Sequence, residues 1–211
     1  EQIKTNPSSL AMLPIVEKVI RHRHLNDDDL SITFENAGQW ELYFAVLLYT
    51  GLRAGDAAML TYGNIDFSQK VITTLVRKSR RVHEFPLSDH LVSLIPKSKN
   101  TNEPLFPTLY VTKTNSVGEI VADESILHYR ISIPRKRFQM ILKEADRPKA
   151  TLHSFRVTFN NLLLAEKLSI EDRQSLMAHS SSKTTTVYTH PNLELARDYI
   201  NKLPNYSSGK K

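Results

Sequence analysis

The chain of 211 residues contains no cysteine. A disulfide framework, a thiolate zinc site and a cysteine nucleophile are therefore excluded, and a reducing compartment is permitted. No apolar run approaches the roughly 18 residues of a membrane span, so no membrane partner is expected. No G-x-S-x-G turn occurs, which removes one common serine-hydrolase arrangement. Clustered carboxylates are also missing. Asp27-Asp28-Asp29 stands without further acidic company and reads as a solvated loop that caps a helix. His22 and His24 lie among arginines, with no carboxylate or histidine at metal spacing, and read as an exposed basic helix end. A metal-dependent nuclease would need carboxylates around one or two cations, so neither a metal nor any other cofactor is expected. Internal repeats and low-complexity segments are absent. Glu1 stands where an initiator methionine would, which leads us to expect a processed chain or a fragment of a longer one.

What is present is a basic balance. Twenty-eight Lys and Arg face 22 Asp and Glu, a net charge of +6. That excess favours a polyanionic partner, nucleic acid first. The length suits one sizeable domain. Residues 1–12 are polar, broken by Pro7, and read as a linker. A domain is expected over 13–203 and a flexible tail over 204–211. Pro14 with Ile15, Val16, Val19 and Ile20 suggests a short first helix. Trp40, Tyr43, Phe44, Leu47 and Leu48 describe a helix buried nearly all round, which Gly51 turns. Asp56 opens a short helix after Arg53. Val71–Val76 and Val82–Leu87 read as paired strands, with Arg77, Lys78, Ser79, Arg80 and Arg81 at the tip. Ser88 caps a helix over 89–95. Residues 96–124 read as loop with short strands, and Pro134 as the start of a helix that offers Arg135, Lys136 and Arg137 to the outside. Phe155, Phe159, Leu162 and Leu163 form a buried stripe with His153 and Arg156 on another face. Ser169 and Asp172 have capping-box spacing. Leu193, Ala196, Ile200 and Leu203 give a last amphipathic helix.

One stretch is chemically unusual. Met177-Ala178-His179 leads through a polar run and three threonines to Tyr188. A structural tyrosine usually sits among apolar neighbours. A phenol, with an ordinary pKa of about 10, becomes a good phosphorus nucleophile when cations stabilise its anion. Arg53 and Arg156 are suited to hold phosphate oxygens, because their planar forks stay charged.

Taken in order, Thr50-Gly51-Leu52-Arg53 with Asp56, Lys78 eight residues before Pro86-Leu87, His153-Ser154-Phe155-Arg156, His179 and Tyr188 resemble the tyrosine recombinase family. These are the integrases and Xer-type resolvases, and the resemblance runs from about Trp40 to Leu203. Val157 replaces the histidine that often follows the second arginine, and Met177-Ala178 stands where Leu-Gly is usual. The loop over 100–130 is longer than in compact members, and the family's N-terminal DNA-binding domain is missing from this sequence.

The resemblance implies the family's catalytic-domain fold, mainly α with a small antiparallel β-sheet (α+β). It implies a site of Arg53, Lys78, His153, Arg156, His179 and the nucleophile Tyr188, supported by Asp56. Double-stranded DNA would be bound with help from Arg77, Arg80, Arg81, Arg135, Lys136 and Arg137. Cleavage and rejoining would run through a 3′-phosphotyrosine without metal or ATP, for integration or excision of a mobile element. A tetramer on two DNA sites is implied, in the cytoplasm of a bacterial or archaeal cell. The last helix, 192–203, is expected to dock on a neighbouring protomer. A dimer resolvase, a type IB topoisomerase relaxing DNA as a monomer, and a non-enzymatic DNA-binding decoy are the alternatives.

Overall fold

The computed structural model describes residues 22–177 and 193–207. The helix expected near residues 15–20 lies outside that range, as do His179 and Tyr188. At the centre is α2 (Glu41–Thr50), in which every residue from Tyr43 to Thr50 is buried. Such a helix cannot be amphipathic, and it is covered on all sides. It packs chiefly on α6 (His153–Ala165), with the Phe44 and Phe155 rings stacked at 5.4 Å and Phe138 closing the cluster. Gly51 ends α2 at φ +65°, its N–H returning to the Leu47 carbonyl. A Cβ there would stand 2.5 Å from the Phe159 ring, so both backbone conformation and space require glycine.

After α3 (Ala54–Ala58) comes a three-stranded antiparallel sheet of β1 (Ile65–Asp66), β2 (Val71–Val76) and β3 (Arg81–Pro86), in that order. Val76 pairs with Arg81, which places residues 77–80 at the hairpin tip. The expected hairpin is present, and β1 is an additional strand too short to carry a pattern. Ser88 accepts from the Leu91 N–H and starts α4 (Asp89–Leu94), as its cap chemistry suggests. The long connection that follows contains the small hairpin β4 (Thr112–Thr114) and β5 (Ile120–Ala122). Helix α5 runs over Leu127–Glu144, seven residues earlier than the expected start at Pro134. Pro134 is buried inside the helix; its missing N–H removes one hydrogen bond, and the buried residues on either side carry the helix through. Helix α7 spans Ile170–Leu176, with Ser169 accepting from the Asp172 N–H. Among the described residues no helix is long and apolar enough to cross a membrane.

The acidic triplet is not a solvated loop. It forms the first turn of α1 (Asp27–Asn36), with Asn26 as N-cap and Asp29 completing the capping box. Asp29 is fully buried and pairs with Arg23 at 2.5 Å and Arg147 at 2.8 Å. Burial alone would raise its pKa; hydrogen bonds from the two guanidiniums and the Asn26 N–H outweigh this and lower it. A lowered native pKa means that the contribution to stability is complete above the ordinary carboxylate range. It is lost as the pH falls through the native value. Asp29→Asn leaves two cations facing a neutral amide, so we expect a loss of about 3 kcal/mol at pH 7. That is the low end for a buried pair, because both guanidiniums are about a quarter exposed. The deficit should shrink toward pH 3 in denaturant titrations of the two proteins.

In the single chain the last helix, α8 (Leu193–Ile200), packs against its own domain. Ala196, Ile200 and Leu203 are buried, and α8 packs on β3. Polar contacts hold it in place. The Arg197 guanidinium donates to the Gln69 carbonyl at 2.5 Å, and the Asp89 N–H donates to Asn201 Oδ1 at 2.8 Å. The segment after Pro204 is likewise attached as far as it is described. Tyr49 Oη donates to the Pro204 carbonyl and accepts from the Tyr206 N–H, and Ser207 lies 2.7 Å from His90 Nε2. The tail expected to be flexible from 204 is therefore docked through 207. Removing residues 193–211 should cost at least about 4 kcal/mol from Ile200 and Leu203 alone. That corresponds to a fall of roughly 10 °C in Tm. An unchanged Tm with lost oligomerisation would instead restore docking in trans.

Candidate DNA-cleavage site

The site is built on the turn after α2. Because Gly51 reverses the chain, Leu52 is buried and Arg53 emerges at the N-cap position of α3, half-buried. One turn on, Asp56 is buried, with Oδ2 3.9 Å from Arg53 Nη1 and without a hydrogen-bond partner. Burial raises its pKa, against the opposing pull of the Arg77 N–H and of Arg53, Arg77 and Arg156. Asp56 thus partly neutralises a cluster that remains cationic.

Arg156 comes to the same place from α6. It is 2% exposed, and its two terminal nitrogens donate to the carbonyls of Gly51 and Met177. Those carbonyls close α2 and α7, where backbone acceptors are left over. One guanidinium thereby joins the turn carrying Arg53 to the last residue before the stretch 178–192. Burial first, and then the Arg53 charge, push Arg156 down to about 10, so it stays protonated at neutral pH. The Arg53 guanidinium, close enough to depress Arg156, and Arg156 itself, with the buried Asp56 carboxylate beside Arg53, make a candidate anion site.

The β2–β3 hairpin is fixed to this turn. The Arg77 N–H donates to Asp56 Oδ1 at 3.4 Å, its Nη1 to the Gly55 carbonyl at 3.4 Å, and its Nε pairs with Glu124 at 3.3 Å. Lys78, the next residue, is exposed at the tip, as is Arg80, and Arg81 is exposed where β3 begins. His153 is exposed at the first turn of α6. Asp56, Arg53, Arg77 and Arg156 are thus brought together, with Lys78 adjacent in sequence to the group. Arg77 and Arg137 are committed to the chain itself: Arg137 donates to the Asn36 carbonyl at 2.6 Å and staples α5 to α1. Arg135 and Lys136 are exposed on α5.

Two histidines near the site carry no signal in the sequence. His83 on β3 is half-buried, its ring edge-on to Phe85 at 4.7 Å. Burial lowers its pKa, with the backbone of Leu176 and Ser175 and the Glu84 charge opposing and Arg156 assisting. His22 is half-buried against His153, not an exposed helix end. Among the described residues no three His, Asp or Glu side chains converge as a cation site.

Known proteins resemble this chain in sequence and in fold. The chain is 25% identical over 198 residues to a probable integrase/recombinase of Acholeplasma phage L2, covering 90% of this chain and 65% of that protein. It is 29% identical to tyrosine recombinase XerC of Anoxybacillus flavithermus, covering 89% of this chain and 64% of that one. It therefore spans just under two thirds of the length of these relatives. The fold is similar to the integrase of mycobacterium phage Brujita, with a TM-score of 0.62 at 16% identity over 95% of this chain and 64% of that one. It is also similar to the catalytic domain of bacteriophage HP1 integrase, with a TM-score of 0.54 at 19% identity over 89% of both chains. Residues 22–194 match the phage integrase family, and the chain, with its Arg53 turn, hairpin and Arg156 in the arrangement described above, belongs to that family.

Proposed function

We propose that this chain is the catalytic domain of a site-specific DNA recombinase. The carrying observation is the paired guanidinium site in which Arg156 links the Arg53 turn to Met177. Attack on a phosphodiester places charge on the non-bridging oxygens of a five-coordinate phosphorus, and Arg53 and Arg156 stabilise that charge. The Tyr188 phenolic oxygen forms a bond to phosphorus as the bond to the 5′ oxygen breaks. Its proton passes to His153, and Lys78 protonates the departing 5′ oxygen, because lysine can release a proton and arginine cannot. His179 hydrogen-bonds the phosphate. The product is a 3′-phosphotyrosine and a free 5′-hydroxyl. Attack by a partner strand's 5′-hydroxyl reverses each transfer and restores the phenol, so the phosphodiester's energy is conserved.

Double-stranded DNA is the substrate we infer. Phosphate contacts come from Arg80, Arg81, Arg135 and Lys136, with Arg77 and Arg137 in supporting positions. Solved relatives include the integrase of transposon Tn1549 in complex with a circular intermediate DNA. Assembly as a tetramer on two DNA sites, and action in a bacterial or archaeal cytoplasm, belong to the same reading. The hairpin-bearing connection between α4 and α5 favours a mobile element over a dimer resolvase. Incubation of the full-length protein with DNA carrying two target sites, and with supercoiled DNA lacking them, tests the proposal. Exchange that requires both sites is expected. Relaxation of plasmid without any site would instead indicate a type IB topoisomerase.

A further inference from the structure

The chain entering the domain at residues 22–26 is pinned along α6 and the loop before it. Arg23 donates to the carbonyls of Pro148 and Lys149, and the Leu25 N–H donates to Thr158 Oγ1 at 2.7 Å. These anchors immediately follow His22, whose ring lies against the start of α6. His22 Nδ1 lies 3.0 Å from Thr151 Oγ1, and its ring centroid lies 4.6 Å from that of His153, tilted by 53°. The imidazole is thus fixed by a hydrogen bond and packs, tilted, against the His153 ring.

We infer that His22 is a positioning residue, which orients the His153 imidazole toward the phosphate through ring packing and is itself held by Thr151. His153 is exposed on the first turn of α6. A ring packed against its imidazole narrows the orientations it adopts before substrate arrives, which is how pre-organisation raises a rate. The inference rests on the reading of His153 as a participant in DNA cleavage, and it assigns His22 no contact with DNA.

The test uses the full-length protein, with cleavage of a nicked suicide substrate measured at saturating protein. His22→Ala should slow cleavage about tenfold with DNA affinity and Tm unchanged. His22→Phe, which keeps a ring against His153, should recover most of the rate. In a His153→Ala background, His22→Ala should change the rate less than twofold, because it acts only through His153. Losses that multiply in the double variant, or a wild-type rate in His22→Ala, would overturn the inference. Long-range imidazole 15N–1H spectra without DNA give an activity-independent reading. The His153 resonances should move in His22→Ala, and unmoved resonances also overturn the inference. If wild-type protein forms no DNA adduct while those resonances do move, the recombinase reading fails and the positioning of His153 stands.

Discussion

Lys78→Ala should cleave ordinary DNA slower than the wild type by about 10²–10⁴-fold, the range for loss of a general acid. It should cleave DNA with a 5′-bridging sulfur at nearly the wild-type rate. The reason is the leaving group: an alkoxide needs a proton as it departs, whereas a thiolate leaves unaided. The structure sharpens the choice of residue. Arg77 is held by Asp56, Gly55 and Glu124; Lys78 and Arg80 are exposed at the tip, and Arg81 is exposed where β3 begins. Of those three exposed cations only lysine can give up a proton. Arg80→Ala and Arg81→Ala should therefore weaken binding in a salt-dependent way without selective rescue by sulfur. Equal slowing of Lys78→Ala on both substrates would assign Lys78 to positioning and leave His153 as the next candidate acid.

Arg156→Lys should reduce cleavage by about 10²–10³-fold, as expected for loss of a pre-organised oxyanion donor. A single ammonium does not reproduce the two-nitrogen fork that reaches the Gly51 and Met177 carbonyls, so pairing of these buried acceptors is weakened, at about 1–3 kcal/mol. The substitution therefore acts twice, on the phosphate and on the link between the Arg53 turn and the end of α7. DNA affinity should change little, because a side chain that is 2% exposed contributes little to counterion release. Arg53→Lys is expected to lower cleavage with a smaller fall in Tm, since Arg53 is half-buried and, among the described residues, holds no carbonyl across the fold. Unimpaired cleavage in both variants would reduce the pair to general phosphate contacts.

Much of this was legible in the sequence where local chemistry decides structure. Tyr43–Thr50 is apolar on every face and can only be a core helix. Ser88 and Ser169 cap helices that begin one residue later, and the β-branched run 71–76 forms a strand. The candidate site residues stand in the sequence as an ordered set of residue types, and the fold brings Arg53, Asp56 and Arg156 of that set together. What was not legible depends on partners far along the chain. Asp29 is a buried ion-pair centre because Arg147, 118 residues away, reaches it. His22 faces inward because Thr151 and His153 meet it. Pro134 sits inside a helix because burial of Leu127, Phe138 and Ile141 outweighs a local stop signal. The cis docking of α8 could not be separated from docking in trans by its apolar stripe, since either surface would bury Ala196 and Ile200. Arg156 was expected to share a face with His153. Instead it is buried against two carbonyls while His153 is exposed, a division that helical spacing alone does not express.

The nucleophile is the claim on which the rest depends, and it can be identified directly. Wild-type protein trapped on a nicked suicide substrate can be digested with protease and nuclease, and the DNA-linked peptide sequenced by mass spectrometry. The account predicts a single modified peptide carrying a nucleotide on Tyr188, and none from Tyr188→Phe. A nucleotide on any other residue, or site-specific cleavage by the wild type with no covalent peptide, would contradict it.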